Sequence, residues 1–181
     1  TQTYWQVDQL YRNFHYHLTQ SRQATLLDAI RDEVERRYTN DYLLRIGDRF
    51  QQAIEHKPAW PPAGGNYQRN FYREHVSPYL AKGNKLFVII SDALRYEVGE
   101  ELHQRILQEN RFRSKLSYQV GVLPSYTQLG MAALLPHERL EVNPENGEVR
   151  ADGQRTAGLE ARKAILSKAN TKATAVKAQD F

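Results

Sequence analysis

A chain of 181 residues that is 40% apolar and 25% charged can build one full core, or one domain with a helical extension. It contains no cysteine, which excludes a disulfide framework and a thiolate metal site; any metal must be held by Asp, Glu, His or hydroxyl oxygens. The formal charge of +4 is spread evenly, with 11 basic against 9 acidic side chains in residues 1–84 and 14 against 12 in residues 85–181, which argues against dense phosphate-backbone binding as the main task.

No apolar run approaches the roughly 20 residues that span a bilayer, and no signal-peptide pattern opens the chain. Together with the lack of cysteine this reads as a cytoplasmic protein with no membrane partner. The chain opens without a methionine and closes at Phe181, so it is expected to be a piece of something longer.

Residues 4–56 read as helices. Val7, Leu10, Tyr11, Phe14 and Leu18 fall at helical spacing, as do Leu27, Ile30, Val34 and Tyr38. Thr39-Asn40-Asp41 predicts a turn and a new N-cap, after which Leu43, Ile46, Phe50 and Ile54 give a third stripe. Such stripes need a partner surface, in the same chain or on another protein, and the many tyrosines here suit either. His15 and His17 lie two apart, so they point to different sides of a helix and read as ordinary surface or packing residues. Pro58, Trp60, Pro61, Pro62, Gly64 and Gly65 mark a loop. A fourth helical pattern runs from Tyr67 to about Leu80, with Pro78 as a kink or early stop and Gly83 as a C-cap glycine.

Lys85-Leu86-Phe87-Val88-Ile89-Ile90-Ser91-Asp92 reads as a strand buried on both faces with an acid at its C-terminal end. Leu94, Val98, Leu102 and Ile106 recur at i+4 and predict a helix packed on the sheet. Phe112 to Leu123 is a second extended stretch, so the fold class is α/β, built on a right-handed strand-helix-strand unit. Pro124-Ser125-Tyr126 predicts a turn that sets Thr127 at the N-cap of a helix stopped by Pro136-His137. Asn146-Gly147 between short alternating runs predicts a hairpin protruding from the sheet. A basic helix with Leu159, Ala161, Ile165 and Leu166 follows, then a candidate third strand at residues 172–176.

Ligands of open α/β sheets bind at the C-terminal ends of the strands, where Asp92 and the turn carrying Ser125 and Thr127 are expected. An acid and a hydroxyl at a helix N-terminus suit a phosphate site. The carboxylate holds a divalent metal, the metal lowers the hydroxyl pKa, and free helix N–H groups receive the phosphoryl oxygens. Plain structural roles fit the same residues: Asp92 as a helix N-cap or arginine partner, Thr127 as an ordinary N-cap. Residue types by themselves leave both open.

Phe87-Val88-Ile89-Ile90-Ser91-Asp92-Ala93-Leu94-Arg95, followed by Gly121-Val122-Leu123-Pro124-Ser125-Tyr126-Thr127-Gln128-Leu129-Gly130-Met131, closely resembles the PglZ domain. Asp152-Gly153, Thr156, Gly158 and Arg162 are similar to a later part of that pattern. PglZ proteins belong to BREX phage-defence systems and are related to the alkaline phosphatase superfamily. The resemblance covers about residues 85–181 and implies there the front part of an alkaline-phosphatase-like sheet; the helical region read at residues 1–81 is compatible with it. It implies a metal-dependent phosphohydrolase or phosphodiesterase using Zn²⁺ or Mn²⁺, with other BREX proteins as partners. Asp92 matches the first metal-ligand aspartate, and Thr127 the catalytic hydroxyl that both ligates metal and attacks phosphorus. Ser125 is the competing hydroxyl. Arg95 stands as a phosphate contact or a salt-bridge partner, and His137 as a helix cap.

The chain also departs from the superfamily, which completes its site with Asp and His ligands from later strands. His15, His17, His56, His75, His103 and His137 form no Asp-x-x-x-His or Asp-His pair, so this piece by itself is expected to be inactive. The rival expectation is an interaction or scaffold module of the same defence system, docking through the aromatic-rich helices at residues 1–56. Direct nucleic-acid binding rests on mild basicity only.

Overall fold

The computed structural model describes residues 4–21, 27–56 and 64–181, so the loop expected around Pro58 to Pro62 lies outside the described residues. The chain divides into two compact units. Among the described residues, one comprises 4–56 with Ala93–Ser117, and the other 64–92 with 118–181.

The first unit is helical. Helix α1 spans Tyr4–Gln20 and buries Leu18. Helix α2, Asp28–Arg36, begins with an acid and ends with a base, in keeping with its dipole, and carries ion pairs Arg31–Asp28 and Arg36–Glu33 one turn apart. The expected break at Thr39-Asn40-Asp41 does not occur. The helix runs on through a π-helical stretch, Arg37–Leu43, into α3, Leu44–Glu55. Tertiary anchoring overrides the local turn signal: Tyr38 stacks on Tyr11 with ring centres 3.6 Å apart, and its hydroxyl donates to Asp8 at 2.6 Å. One turn on, the Tyr42 hydroxyl donates to the Tyr4 carbonyl at 2.8 Å. Past these anchors no residue of α3 is buried, and Ile46 and Phe50 are exposed.

Helix α5, Tyr96–Gln108, packs on α1 rather than on a sheet. Polar contacts fix it there. Arg12 of α1 reaches Glu101 at 2.7 Å, and the buried Glu97 carboxylate lies between Arg12 and Arg95.

In the second unit the Asn-Gly hairpin forms as expected, but as core rather than as a protrusion. Strand β1, Leu140–Val142, pairs antiparallel with β2, Val149–Ala151, in the register Leu140 to Ala151 and Val142 to Val149. Period-two alternation turns Val149 and Ala151 inward and Arg150 outward. A turn at Asp152 and Gly153, both at positive φ, returns β3, Gln154–Arg155, along β2. Helix α6, Thr127–Ala133, buries Leu129 and Ala132 against Val149; helix α7, Gly158–Ala169, buries Ile165 near Ala151 and Leu135.

The three strands expected elsewhere are not found. Residues 84–91 form neither helix nor strand and belong to no ladder among the described residues, and Phe87 and Ile89 are 74% and 91% exposed. The stretch at 112–123 makes one parallel bridge, Val120 to Tyr67, and residues 172–176 make none. A doubly buried strand needs ladder partners on its edges and cover on both faces, and the described residues supply neither to 84–91. What is seen is a mixture of helices with a small antiparallel sheet. Helix α4, Ser77–Leu80, follows a 3₁₀ turn at Gln68–Asn70 and a π-helical stretch at Tyr72–Val76. Pro78 sits in its first turn, where a missing N–H costs no helical bond, and Gly83 closes it at φ 73°. No described helix is long and apolar enough to cross a membrane.

Candidate functional site

The second unit brings Asp92 and Thr127 together. Asp92 follows the run 84–91, which carries no helix or strand, and the chain then turns at Ala93, a non-glycine residue at φ 55°. Thr127 is the first residue of α6, reached through the turn Pro124-Ser125-Tyr126. That turn is held by its neighbours: the Tyr126 hydroxyl donates to the Gly147 carbonyl at 3.2 Å, and Leu129 is locked into the core. From this position Thr127 Oγ1 donates a 3.2 Å hydrogen bond to Asp92 Oδ2, with both residues exposed.

The N-cap position is taken by Tyr126, without a side-chain cap, so the Thr127 hydroxyl is directed at Asp92 instead of at the helix backbone. Ser125 is exposed two residues earlier and stands outside the Asp92–Thr127 bond. His137 Nδ1 lies 2.7 Å from the Leu135 carbonyl, two residues past the end of α6, so the carbonyl it meets is not one of the helix's own.

Arg95 lies in the first unit and is engaged there. Its guanidinium reaches Asp8 at 2.8 Å, the Tyr38 hydroxyl at 3.1 Å and Glu97 at 3.0 Å. Burial opposes the Arg95 charge, but the Tyr38 hydrogen bond and the carboxylates of Glu97 and Asp8 outweigh it and raise its pKa. Burial first, and then the Asp8 carboxylate, pushes the Tyr42 phenol up to about 12. No sequence pattern points to this network, because Asp8, Tyr38 and Arg95 are separated from one another by 30 to 87 residues.

Asp92 and Thr127 supply two hard oxygen donors. Among the described residues no group of three or more His, Cys, Asp or Glu side chains is placed to hold a metal ion. Two donors do not fill the shell of a divalent ion, so the described residues do not by themselves fit a resident metal.

Residues 71–181 match the family described as the BREX system PglZ alkaline phosphatase-like domain. The chain belongs to the PglZ family. It is 44% identical over 185 residues to the alkaline phosphatase-like protein BrxZ of Escherichia coli O9:H4 (strain HS), covering 98% of this chain and 21% of that protein. It is 40% identical over 180 residues to the alkaline phosphatase-like protein PglZ of Bacillus cereus (strain H3081.97), again covering 98% and 21%. This PglZ-family chain therefore spans about a fifth of the length of the curated relatives it matches. No solved structure matches it.

Proposed function

We propose that this chain supplies the nucleophile of a BREX-system phosphohydrolase or phosphodiesterase acting in phage defence in the cytoplasm. One observation carries the reading: the hydrogen bond from Thr127 Oγ1 to Asp92 Oδ2, at the two positions where the family resemblance expects nucleophile and first metal ligand. The hydroxyl commits its proton to Asp92 and keeps its lone pairs for a substrate, and the exposure of both residues leaves a phosphate ester room to approach. In the proposed step the Thr127 oxygen attacks phosphorus and its proton passes toward the Asp92 carboxylate. An O–P bond forms, and the ester oxygen departs with the electrons of the bond it loses; water then hydrolyses the phosphothreonine.

A divalent ion, Zn²⁺ or Mn²⁺, belongs to the same proposal, with Asp92 and Thr127 among its ligands and the others supplied elsewhere in the natural protein. Reading residues 85–181 as the front part of an alkaline-phosphatase-like sheet also belongs to this proposal and rests on the family match over residues 71–181. The natural protein carrying this chain should hydrolyse bis(p-nitrophenyl) phosphate with added Mn²⁺ or Zn²⁺, and Thr127→Ala should lose roughly 10³-fold in kcat. Undiminished turnover in the variant removes Thr127 from the mechanism.

A second reading, a docking module for another BREX protein, is favoured by α3, whose Ile46 and Phe50 lie exposed on one face. Replacing both with Ser should abolish co-purification of that partner while leaving phosphodiesterase turnover intact. Unchanged co-purification counts against it.

A further inference from the structure

The turn that carries Thr127 is spanned by one side chain from elsewhere in the second unit. Gln68 Oε1 accepts from the Val122 backbone N–H at 3.3 Å, and Gln68 Nε2 donates to the Gly130 carbonyl at 3.2 Å. Val122 stands five residues before Thr127 and Gly130 three after it. Only one orientation of the amide satisfies both contacts, because one partner is a donor and the other an acceptor.

Both backbone groups need an external partner. Val122 lies outside any named helix or strand, so no ladder holds its N–H. Gly130 lies among the last four residues of α6, whose carbonyls lack intrahelical partners. The space around the amide is matched to it: a Cβ added at Gly130 would stand 3.4 Å from Nε2, and one at Gly121 3.7 Å from Oε1. The Gln68 backbone is anchored independently. Its N–H donates to the Val120 carbonyl at 3.0 Å, the Val120 N–H donates to Asn66 at 2.8 Å, and the intervening Tyr67 is buried.

We infer that Gln68 is a positioning residue for Thr127: its carboxamide braces the entry to the turn against α6 and so fixes the Thr127 hydroxyl at Asp92. The catalytic consequence rests on the phosphohydrolase reading above; the brace itself does not. Displacing a reacting group by about 1 Å costs on the order of 10²-fold in rate, so a brace across an eight-residue span is enough to matter. The effect falls on kcat, because Gln68 itself touches no substrate in this reading.

The test uses the natural protein that carries this chain, with Gln68→Leu and Gln68→Glu, bis(p-nitrophenyl) phosphate and Mn²⁺. Gln68→Leu removes both bonds, and kcat is expected to fall roughly 10- to 100-fold with KM within about twofold. Gln68→Glu keeps the acceptor for Val122 but loses the donor to Gly130 until its carboxyl is protonated. The facing Gly130 carbonyl disfavours the carboxylate and raises its pKa above the ordinary value of about 4.3. The variant's deficit relative to the parent should therefore shrink as pH falls from about 7 to about 4, a profile that general destabilisation does not produce. Hydrogen exchange of residues 118–130 gives a readout free of activity, with faster exchange at Val122 expected in Gln68→Leu and parent-like exchange there in Gln68→Glu. Parent-like kcat in Gln68→Leu, or a Gln68→Glu deficit that does not change with pH, overturns the positioning role. If Gln68→Leu does not fold, the Gln68→Glu profile decides. If the parent shows no turnover, the phosphohydrolase reading fails separately, and unchanged Val122 protection in Gln68→Leu overturns the brace.

Discussion

Thr127 Oγ1 donates to Asp92 Oδ2 at 3.2 Å, a contact between residues 35 apart in sequence, while the N-cap of α6 is Tyr126. The hydroxyl therefore does no capping, and this separates two roles that sequence leaves open. Loss of an N-cap hydroxyl costs about 0.5–2 kcal/mol of stability. Thr127→Ala should instead leave stability within about 0.5 kcal/mol in urea denaturation, because one exposed hydrogen bond is lost, while turnover collapses. A variant that is destabilised by more than about 1 kcal/mol and still turns over normally would mark Thr127 as a structural residue.

Arg95 offers the opposite case. It bridges Asp8, Tyr38 and Glu97, and the Glu97 side chain is 2% exposed. Replacing Arg95 by Met leaves Glu97 with Arg12, at 4.0 Å, as its remaining ion-pair partner among the described residues. Stripping one partner from a buried charge costs roughly 3–5 kcal/mol, less here because the Arg95 side chain is half exposed, so about 2–3 kcal/mol is expected. Adding Glu97→Gln to Arg95→Met should recover part of the loss. A phosphate-binding Arg95 would behave differently: Arg95→Met would raise KM for a phosphodiester without lowering the denaturation midpoint.

What was readable in the sequence follows the range of the interactions involved. The Asn146-Gly147 hairpin and the Gly83 stop are set by local backbone chemistry, and both are found. Residues 85–92 and 112–123 have strand composition, but a ladder is a property of partners, and composition carries no information on whether partners are at hand. Thr39-Asn40-Asp41 is a sound local turn signal that loses to the Tyr38 and Tyr42 anchors on α1. Asp92 and Thr127 came into view through a pair of motifs; the Arg95 network and the Gln68 brace join residues with no pattern between them, and only the fold makes them neighbours.

Ala93, immediately after Asp92, adopts φ 55°, where a Cβ costs roughly 1–2 kcal/mol. Glycine removes that strain but adds chain entropy to the unfolded state, about 0.5–1 kcal/mol. Ala93→Gly should therefore be neutral to stabilising by about 1 kcal/mol, whereas the β-branched Ala93→Val should destabilise by more than about 1 kcal/mol. Denaturation midpoints that rank Val at or above Ala would show that the turn after Asp92 does not need the left-handed conformation.

Asp152 ties the start of the sheet to the β2–β3 turn. Its carboxylate accepts from the Arg139 N–H at 2.7 Å and from the Glu138 N–H at 3.1 Å, and these bonds, the Arg139 one foremost, hold its pKa below the ordinary 3.8. A carboxylate with a lowered folded-state pKa stabilises the fold fully above its unfolded value. That contribution fades as pH drops through the lowered value and the carboxylate takes up its proton. Asp152→Asn keeps the shape and removes the charge, so it should cost about 1 kcal/mol near pH 7, a modest figure because the group is solvent-exposed. The gap between parent and variant should hold constant down to about pH 4 and close below it, as read from urea midpoints across pH. A gap that widens on acidification would contradict the charge-assisted bonds to Arg139 and Glu138 and would locate the acid sensitivity of the second unit elsewhere.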